Sequence, residues 1–115
     1  LRVMNRDEVA RARRRQEALD SLDFEREREA AFRSRLEPSV RDADAWRVDE
    51  AALARIPDED RETLREIGFA QPRPPEDALA RLEAQINQLE AQIADSQRRQ
   101  RAFEAYARAL EEPSA

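Results

Sequence analysis

The feature that most constrains the fold of this chain is a seven-residue repeat of apolar side chains between residues 79 and 110. Position a of the repeat holds Leu79, Ile86, Ile93, Gln100 and Ala107, and position d holds Leu82, Leu89, Ser96, Phe103 and Leu110. Apolar side chains at this spacing form one stripe along a helix, and a second helix must cover that stripe to remove it from water. The repeat therefore predicts a long C-terminal helix of the coiled-coil type.

The repeat changes character along its length. In its first half Ile86 and Ile93 stand at a and Leu82 and Leu89 at d, a combination that favours parallel two-stranded packing. Ser96 and Gln100 then interrupt the stripe, and each must find a hydrogen-bond partner across the interface or cost about 1–3 kcal/mol. We expect the apolar half to bind a like helix, and the polar half to set the register or to contact a different partner.

Two partners for the stripe remain open from the sequence. One is a helix of another chain, and the other is the chain's own first helix in an antiparallel hairpin. The predicted interface consists of the apolar heptad side chains and the single tryptophan, whose large side chain is typical of interface anchors. These residues are Leu79, Leu82, Ile86, Leu89, Ile93, Phe103, Leu110 and Trp46.

The composition favours helices that pack through narrow stripes. Of the 115 residues, 41% are charged, 21 are alanine and only 22 are Leu, Ile, Val or Phe. Alanine favours the helix strongly but buries little apolar area, and no strand pattern is present. We therefore predict an all-α fold of elongated helices, with a long C-terminal helix, an N-terminal helix or helix pair, and short acidic helices between them.

Capping and breaking residues divide the chain into four predicted segments. A charged N-terminal helical segment spans residues 1–37, where Asn5 and Glu8 have the form of a capping box and Pro38 is expected to end the helix. A break near Ser21 is an alternative within it. An acidic segment of short helices spans 38–70, a proline-rich linker spans 71–75, and the heptad helix spans 76–115 and ends at Pro113. The apolar face of the first segment is assigned to Val9, Ala12, Leu19, Leu22, Ala30 and Leu36.

The end of the acidic segment is predicted in more detail. Residues 58–60 are all acidic and follow Pro57, so they suit the first turn of a helix, where the helix dipole favours negative charge. Gly68 is typical of the residue just beyond a helix. A Schellman ending at this glycine would bring Leu64 against Phe69.

The charges of the chain favour protein partners over nucleic acid. All 21 basic residues are arginine, the net charge is −5, and residues 36–77 hold 6 arginines against 12 acids. Such an acidic balance disfavours phosphate binding. Arg98, Arg99 and Arg101 form a basic cluster that parallel oligomerisation would gather into a ring, so a contact with a charged partner, including nucleic acid after assembly, is kept as an alternative.

The sequence lacks the residues that several kinds of catalytic and metal site require. Without lysine, histidine or cysteine there is no Schiff-base lysine, no Walker A lysine and no zinc site of the usual ligands. The acidic clusters lack the spacing and central glycine of an EF-hand. We therefore predict no enzyme activity, cofactor, metal or small-molecule substrate. No membrane span or secretion signal is evident, so the predicted location is the cytoplasm, or an assembled virion or other large complex.

The function predicted from these observations is a non-enzymatic structural or adaptor protein. It would oligomerise or dock into a larger assembly through the heptad helix, with itself or another helical protein as partner. Two alternatives stay open. One is an oligomeric nucleic-acid-handling subunit of the viral packaging type, and the other is an acidic inhibitor or chaperone that covers a basic surface of a partner protein.

Overall fold

The structure, a computed structural model, describes residues 3–70 and 74–111. Within these residues the chain forms three α-helices and no strand: α1 spans Arg6–Leu53, α2 spans Asp58–Glu66, and α3 spans Glu76–Glu111. The all-α prediction is therefore confirmed, with one long helix at each end of the sequence. Most of the predicted linker and the predicted helix end at Pro113 lie outside the described residues. None of the described helices combines the length and the apolar character that crossing a membrane requires.

The chain divides into two compact units. The terminal unit comprises Leu1–Arg33 and Glu90–Ala115, and the central unit comprises Ser34–Leu89. In the terminal unit, α1 and α3 run antiparallel, because Arg15 near the start of α1 pairs with Glu111 at the end of α3, while Glu25 lies against Ser96. The central unit contains the remainder of α1, all of α2 and the first turns of α3.

The predicted capping box begins α1. The side-chain Oδ1 of Asn5 accepts a hydrogen bond of 2.8 Å from the backbone N–H of Glu8, and the Asn5 amide Nδ2 lies 3.4 Å from the Glu8 carboxylate. The backbone carbonyl of Asn5 also accepts the N–H of Val9. Because the first turn of a helix has no internal partners for its N–H groups, these contacts fix where the helix begins.

The prediction that Pro38 ends the first helix is wrong, since α1 continues through it to Leu53, and the alternative break near Ser21 is absent as well. Pro38 has no N–H to donate to the carbonyl of Ser34, and its ring normally disfavours a helix interior by about 3 kcal/mol. The lost bond is one among those of a helix of 48 residues, and half-buried side chains beyond the proline pack that part of the helix within the central unit. In the next position, the Ser39 hydroxyl donates to the Arg35 carbonyl at 3.3 Å.

The predicted turn around Gly68 is confirmed. Gly68 has φ +75°, and the backbone N–H of Phe69 donates to the Leu64 carbonyl at 3.0 Å while the N–H of Gly68 donates to the Arg65 carbonyl at 3.0 Å. These two bonds define a Schellman motif, which satisfies carbonyls that the end of α2 would otherwise leave unpaired. Phe69 and Leu64 line the same cleft, as the motif predicts.

Replacing Pro38 with alanine tests how the helix tolerates this proline. The new N–H can donate to the Ser34 carbonyl, so we expect Pro38→Ala to raise the free energy of unfolding by about 1–3 kcal/mol. Thermal melts followed by circular dichroism measure the change. Pro57→Ala is the matched control, because Pro57 precedes α2 and interrupts no helix. A Pro38→Ala variant that melts at or below the temperature of the parent chain would contradict the expectation.

Candidate interaction interface

The heptad stripe of α3 is the covered face of that helix. Every a and d position from Leu79 to Leu110 is buried or half-buried. Leu89 and Ile93 are buried, with 2% and 6% of their surface exposed, whereas Leu79, Leu82, Ile86, Phe103 and Leu110 are half-buried. In the terminal unit the partner of this stripe is α1 of the same chain, which corresponds to the antiparallel hairpin. A helix from another chain as a further partner stays a prediction.

The matching face of α1 is not the face assigned from its apolar residues. Val9, Ala12 and Ala30 of that assignment are exposed. The covered positions instead follow alternating steps of three and four residues, and two thirds of them are polar or small. They are Glu8, Arg11, Arg15, Ala18, Leu22, Glu25, Glu29, Phe32, Leu36, Ser39, Ala43 and Trp46. The hydrophobic pattern missed this stripe because a polar side chain that finds a partner across the interface occupies the same kind of position as an apolar one.

A polar layer lies inside the terminal unit where the α3 stripe is interrupted. Glu25 is 4% exposed and Ser96 is 1% exposed. The Ser96 hydroxyl lies 2.9 Å from the Glu25 carboxylate Oε2 and 2.9 Å from the Glu25 backbone carbonyl, and can donate to either. On the other side of the carboxylate, the guanidinium groups of Arg28 and Arg99 each lie 3.5 Å from Oε1. The buried charge is thus both hydrogen-bonded and paired, as burial of a carboxylate requires.

Gln100 extends this layer by one helical turn. Its side-chain Nε2 donates to the Glu29 carboxylate at 2.8 Å and lies 3.4 Å from the Ser96 hydroxyl. Glu29 also accepts a hydrogen bond of 2.7 Å from Arg33 on its own helix. The two residues that interrupt the apolar stripe therefore find their partners on α1, and no buried side-chain nitrogen or oxygen in the described residues is left without one.

The predicted basic cluster is divided between internal pairs and open surface. Arg98 and Arg99 both pair with Asp95, at 2.7 Å and 3.0 Å, and Arg99 also faces the buried carboxylate of Glu25. Arg101 is exposed and forms no ion pair with another described residue. Most of the positive charge of this cluster is therefore balanced by acids of the same chain.

Trp46 lies in the central unit beside the first turns of α3. It is half-buried, and it lines a cleft of about 370 Å³ together with Leu79 and Leu82. A second cleft of about 230 Å³ has Trp46, Leu53 and Leu79 among its lining residues, with Arg61 at its side. Three of the predicted interface residues are thus brought together, and open space remains between them.

Phe103 lies in a cleft of the terminal unit. This cleft, of about 470 Å³, is lined by Phe103, Tyr106, Ala18 and Arg14, among others. Arg14 donates to the Tyr106 hydroxyl at 3.3 Å and stacks its guanidinium 5.7 Å from the centre of the tyrosine ring. The arginine therefore closes one side of the apolar surface around Phe103.

The polar layer is the functional feature that sequence reasoning missed on α1, although a signal for it was present. Glu25 and Glu29 stand between Leu22 and Phe32, and this polar gap has the same four-residue step as Ser96 and Gln100 on α3.

Within the described residues no group of acidic side chains is arranged to hold a metal ion. No protein-family model, curated protein or solved structure matches the chain.

Removing the Ser96 hydroxyl tests the polar layer. Ser96→Ala leaves the buried Glu25 carboxylate without its donor on α3, so we expect a loss of about 1–3 kcal/mol in the free energy of unfolding. Urea unfolding followed by circular dichroism measures it. Ser34→Ala is the matched control, because Ser34 is exposed and the same exchange there only improves helix propensity. Equal stabilities of the two variants would contradict a role for the hydroxyl.

The carboxylates around the layer also predict a response to acid. Hydrogen bonds from Arg33, and then from Gln100, lower the pKa of Glu29 from its ordinary 4.5, and a hydrogen bond from Arg98 lowers the pKa of Asp95. A lowered pKa in the folded chain contributes stability that is present above the unfolded pKa and lost as pH falls through the folded one. We expect the melting temperature to fall as the pH drops below 4.5. The double variant Glu29→Gln, Asp95→Asn should show a smaller fall, and unchanged acid sensitivity in that variant would contradict this origin.

Proposed function

We propose that this chain is a non-enzymatic helical protein that works as an oligomerising or docking component of a larger assembly. The observation that carries the proposal is how little of its apolar surface the chain covers by itself. Among the described residues, the only large apolar side chains that are buried are Leu22, Leu89 and Ile93. The remaining buried hydrophobic residues are alanines, which contribute little area.

The start of α3 carries the longest run of half-covered apolar positions in the heptad stripe. Leu79, Leu82 and Ile86 are half-buried, and the first two line an open cleft with Trp46. Two packed helices cover each other's stripes from one side only, whereas the helices of a four-helix bundle are covered from two sides. A further helix seated along Leu79–Ile86 would remove these side chains from water, and burial of each stabilises by about 1.5–3 kcal/mol when it is complete.

The partner in this proposal is a second copy of the chain or another helical protein. Pairing of two copies would bury the half-covered apolar side chains of both at once, because symmetric association uses the same surface of each copy. The lack of histidine, cysteine and lysine supports the non-enzymatic part of the proposal. Binding to nucleic acid gains no support, since Arg98 and Arg99 are already paired with Asp95.

Sedimentation velocity or light scattering on the full chain tests the proposal. We expect a particle larger than the 13.4 kDa of one chain and a melting temperature that rises with protein concentration. Leu82→Ser with Ile86→Ser should reduce the mass of the particle while α-helical circular dichroism is retained, because both side chains are only half-buried in the single chain.

Ala91→Ser is the control for that pair. Ala91 is exposed on the opposite face of α3, so its exchange should leave the mass unchanged. A compact monomer at every concentration would rule out the oligomeric form of the proposal and leave docking onto a different helical protein. An effect of Ala91→Ser as large as that of the Leu82 and Ile86 exchange would place the contact on the outer face of α3 instead.

A further inference from the structure

A second apolar surface of the central unit adjoins the cleft beside Trp46, with which it shares Asp49 and Leu53. It is a groove of about 210 Å³ between the end of α1, α2 and the turn that follows α2. Its apolar lining consists of Ala52, Leu53, Ile56, Leu64, Phe69 and Ala70. The Schellman turn at Gly68 builds this groove, because it reverses the chain after α2 and sets Phe69 beside Leu64.

The apolar character of this surface extends beyond the groove. Phe69 forms one wall and is 77% exposed, and the neighbouring Ile67 is 69% exposed. Large apolar side chains that stand together on a surface, rimmed by polar residues, are typical of sites where another protein binds. A single aliphatic or aromatic side chain of a partner fits a cavity of this size, which is too small for a folded domain to enter.

The charges around the groove define the partner. The central unit holds 8 arginines and 13 acids and so carries the whole net charge of −5, whereas the terminal unit holds 13 of each. Asp49 lines the groove itself. On α2, Asp58 and Glu62 pair with Arg61 and Arg65. Asp60 lies one turn before Leu64 on the same side of α2, is exposed, and forms no ion pair with any other described residue; Asp49 is likewise exposed and without one.

We propose that this groove binds a basic amphipathic helix of another protein, with one large apolar side chain of that helix between Leu53, Leu64 and Phe69 and its arginines or lysines beside Asp49 and Asp60. Complementary charge steers such a partner and fixes its orientation, while the apolar contact supplies the affinity. A second copy of this chain fits this groove less well than a basic helix, because neither of its units has a net positive charge to set against Asp49 and Asp60; the start of α3, by contrast, presents apolar side chains that need no charged partner.

The proposal is tested with the full chain and synthetic helical peptides without tryptophan. The basic peptide carries leucine at positions i, i+3, i+4 and i+7 and arginine elsewhere. A second peptide has glutamate in place of arginine, and a third keeps arginine but has serine in place of leucine. Trp46 is the only tryptophan of the chain and lies beside Leu53, which lines the groove, so its fluorescence reports binding.

We expect saturable binding of the basic amphipathic peptide alone, weakening as salt is raised. Phe69→Ser should weaken it at least tenfold, Phe69→Leu should largely preserve it, and Asp49→Asn should weaken it by a smaller factor. Phe24→Ser is the matched control, because Phe24 is likewise exposed, at 64%, but belongs to the terminal unit. Both phenylalanines are mostly exposed, so we expect either exchange to retain the fold, which α-helical circular dichroism checks, and Phe69→Leu keeps an apolar contact with Leu64.

Four results would overturn the proposal. Equal binding of the glutamate peptide would exclude a basic partner, and equal binding of the serine peptide would mean that charge alone, without the groove, holds the peptide. Binding that survives Phe69→Ser would place the site elsewhere. A lower native mass of Phe69→Ser without peptide would identify a second copy as the occupant. This test is separate from the oligomer test, because it changes Phe69 and leaves the α3 stripe intact.

Discussion

Two helices can bury only one stripe on each other, and in this chain that stripe contains a charged residue. The Glu25 carboxylate lies at the centre of the terminal unit, where Ser96 donates to it and Arg28 and Arg99 face it. Burial of a carboxylate without such partners costs far more than a typical hydrogen bond returns. Pairing of α1 with α3 in this unit is therefore energetically favourable only when it brings Ser96 and the two arginines to the Glu25 carboxylate.

This condition fixes the register of the two helices. If α3 slipped by one heptad, Leu89 or Phe103 would face Glu25 in place of Ser96, and the carboxylate would lose its donor. The same slip would exchange Gln100 for Ile93 or Ala107 opposite Glu29. Purely apolar heptads tolerate such a slip because one leucine replaces another, whereas the polar layer opposes it by about 1–3 kcal/mol for each lost bond. Buried polar residues at single heptad positions set register in coiled coils by this mechanism.

The sequence predicts α3 and its covered face correctly, but it predicts neither the end of α1 nor the face of α1 that is buried, and the reason is physical. The apolar repeat of α3, the capping box at Asn5 and the glycine turn at Gly68 are local signals, each of which depends on residues a few positions apart. The end of α1 and its buried face depend on distant residues. Pro38 removes one backbone bond from a helix of 48 residues whose later part is held by tertiary packing, and Glu25 is a core residue only because Ser96 stands opposite. The matching polar gaps on the two helices are visible in the sequence, but a search for apolar residues at helical spacing does not identify polar residues as part of the core.

The two halves of the heptad stripe have different consequences for association. The polar half is matched within the chain, since Ser96 and Gln100 have hydrogen-bond partners on α1. A foreign helix seated there would have to replace those bonds. The apolar half holds Leu79, Leu82 and Ile86, which are half-buried and make no demand for specific donors. An additional helix can cover them without disturbing the layer at Glu25. At the N-terminal end of α3, where the stripe is most apolar, a further helix would therefore break the fewest hydrogen bonds.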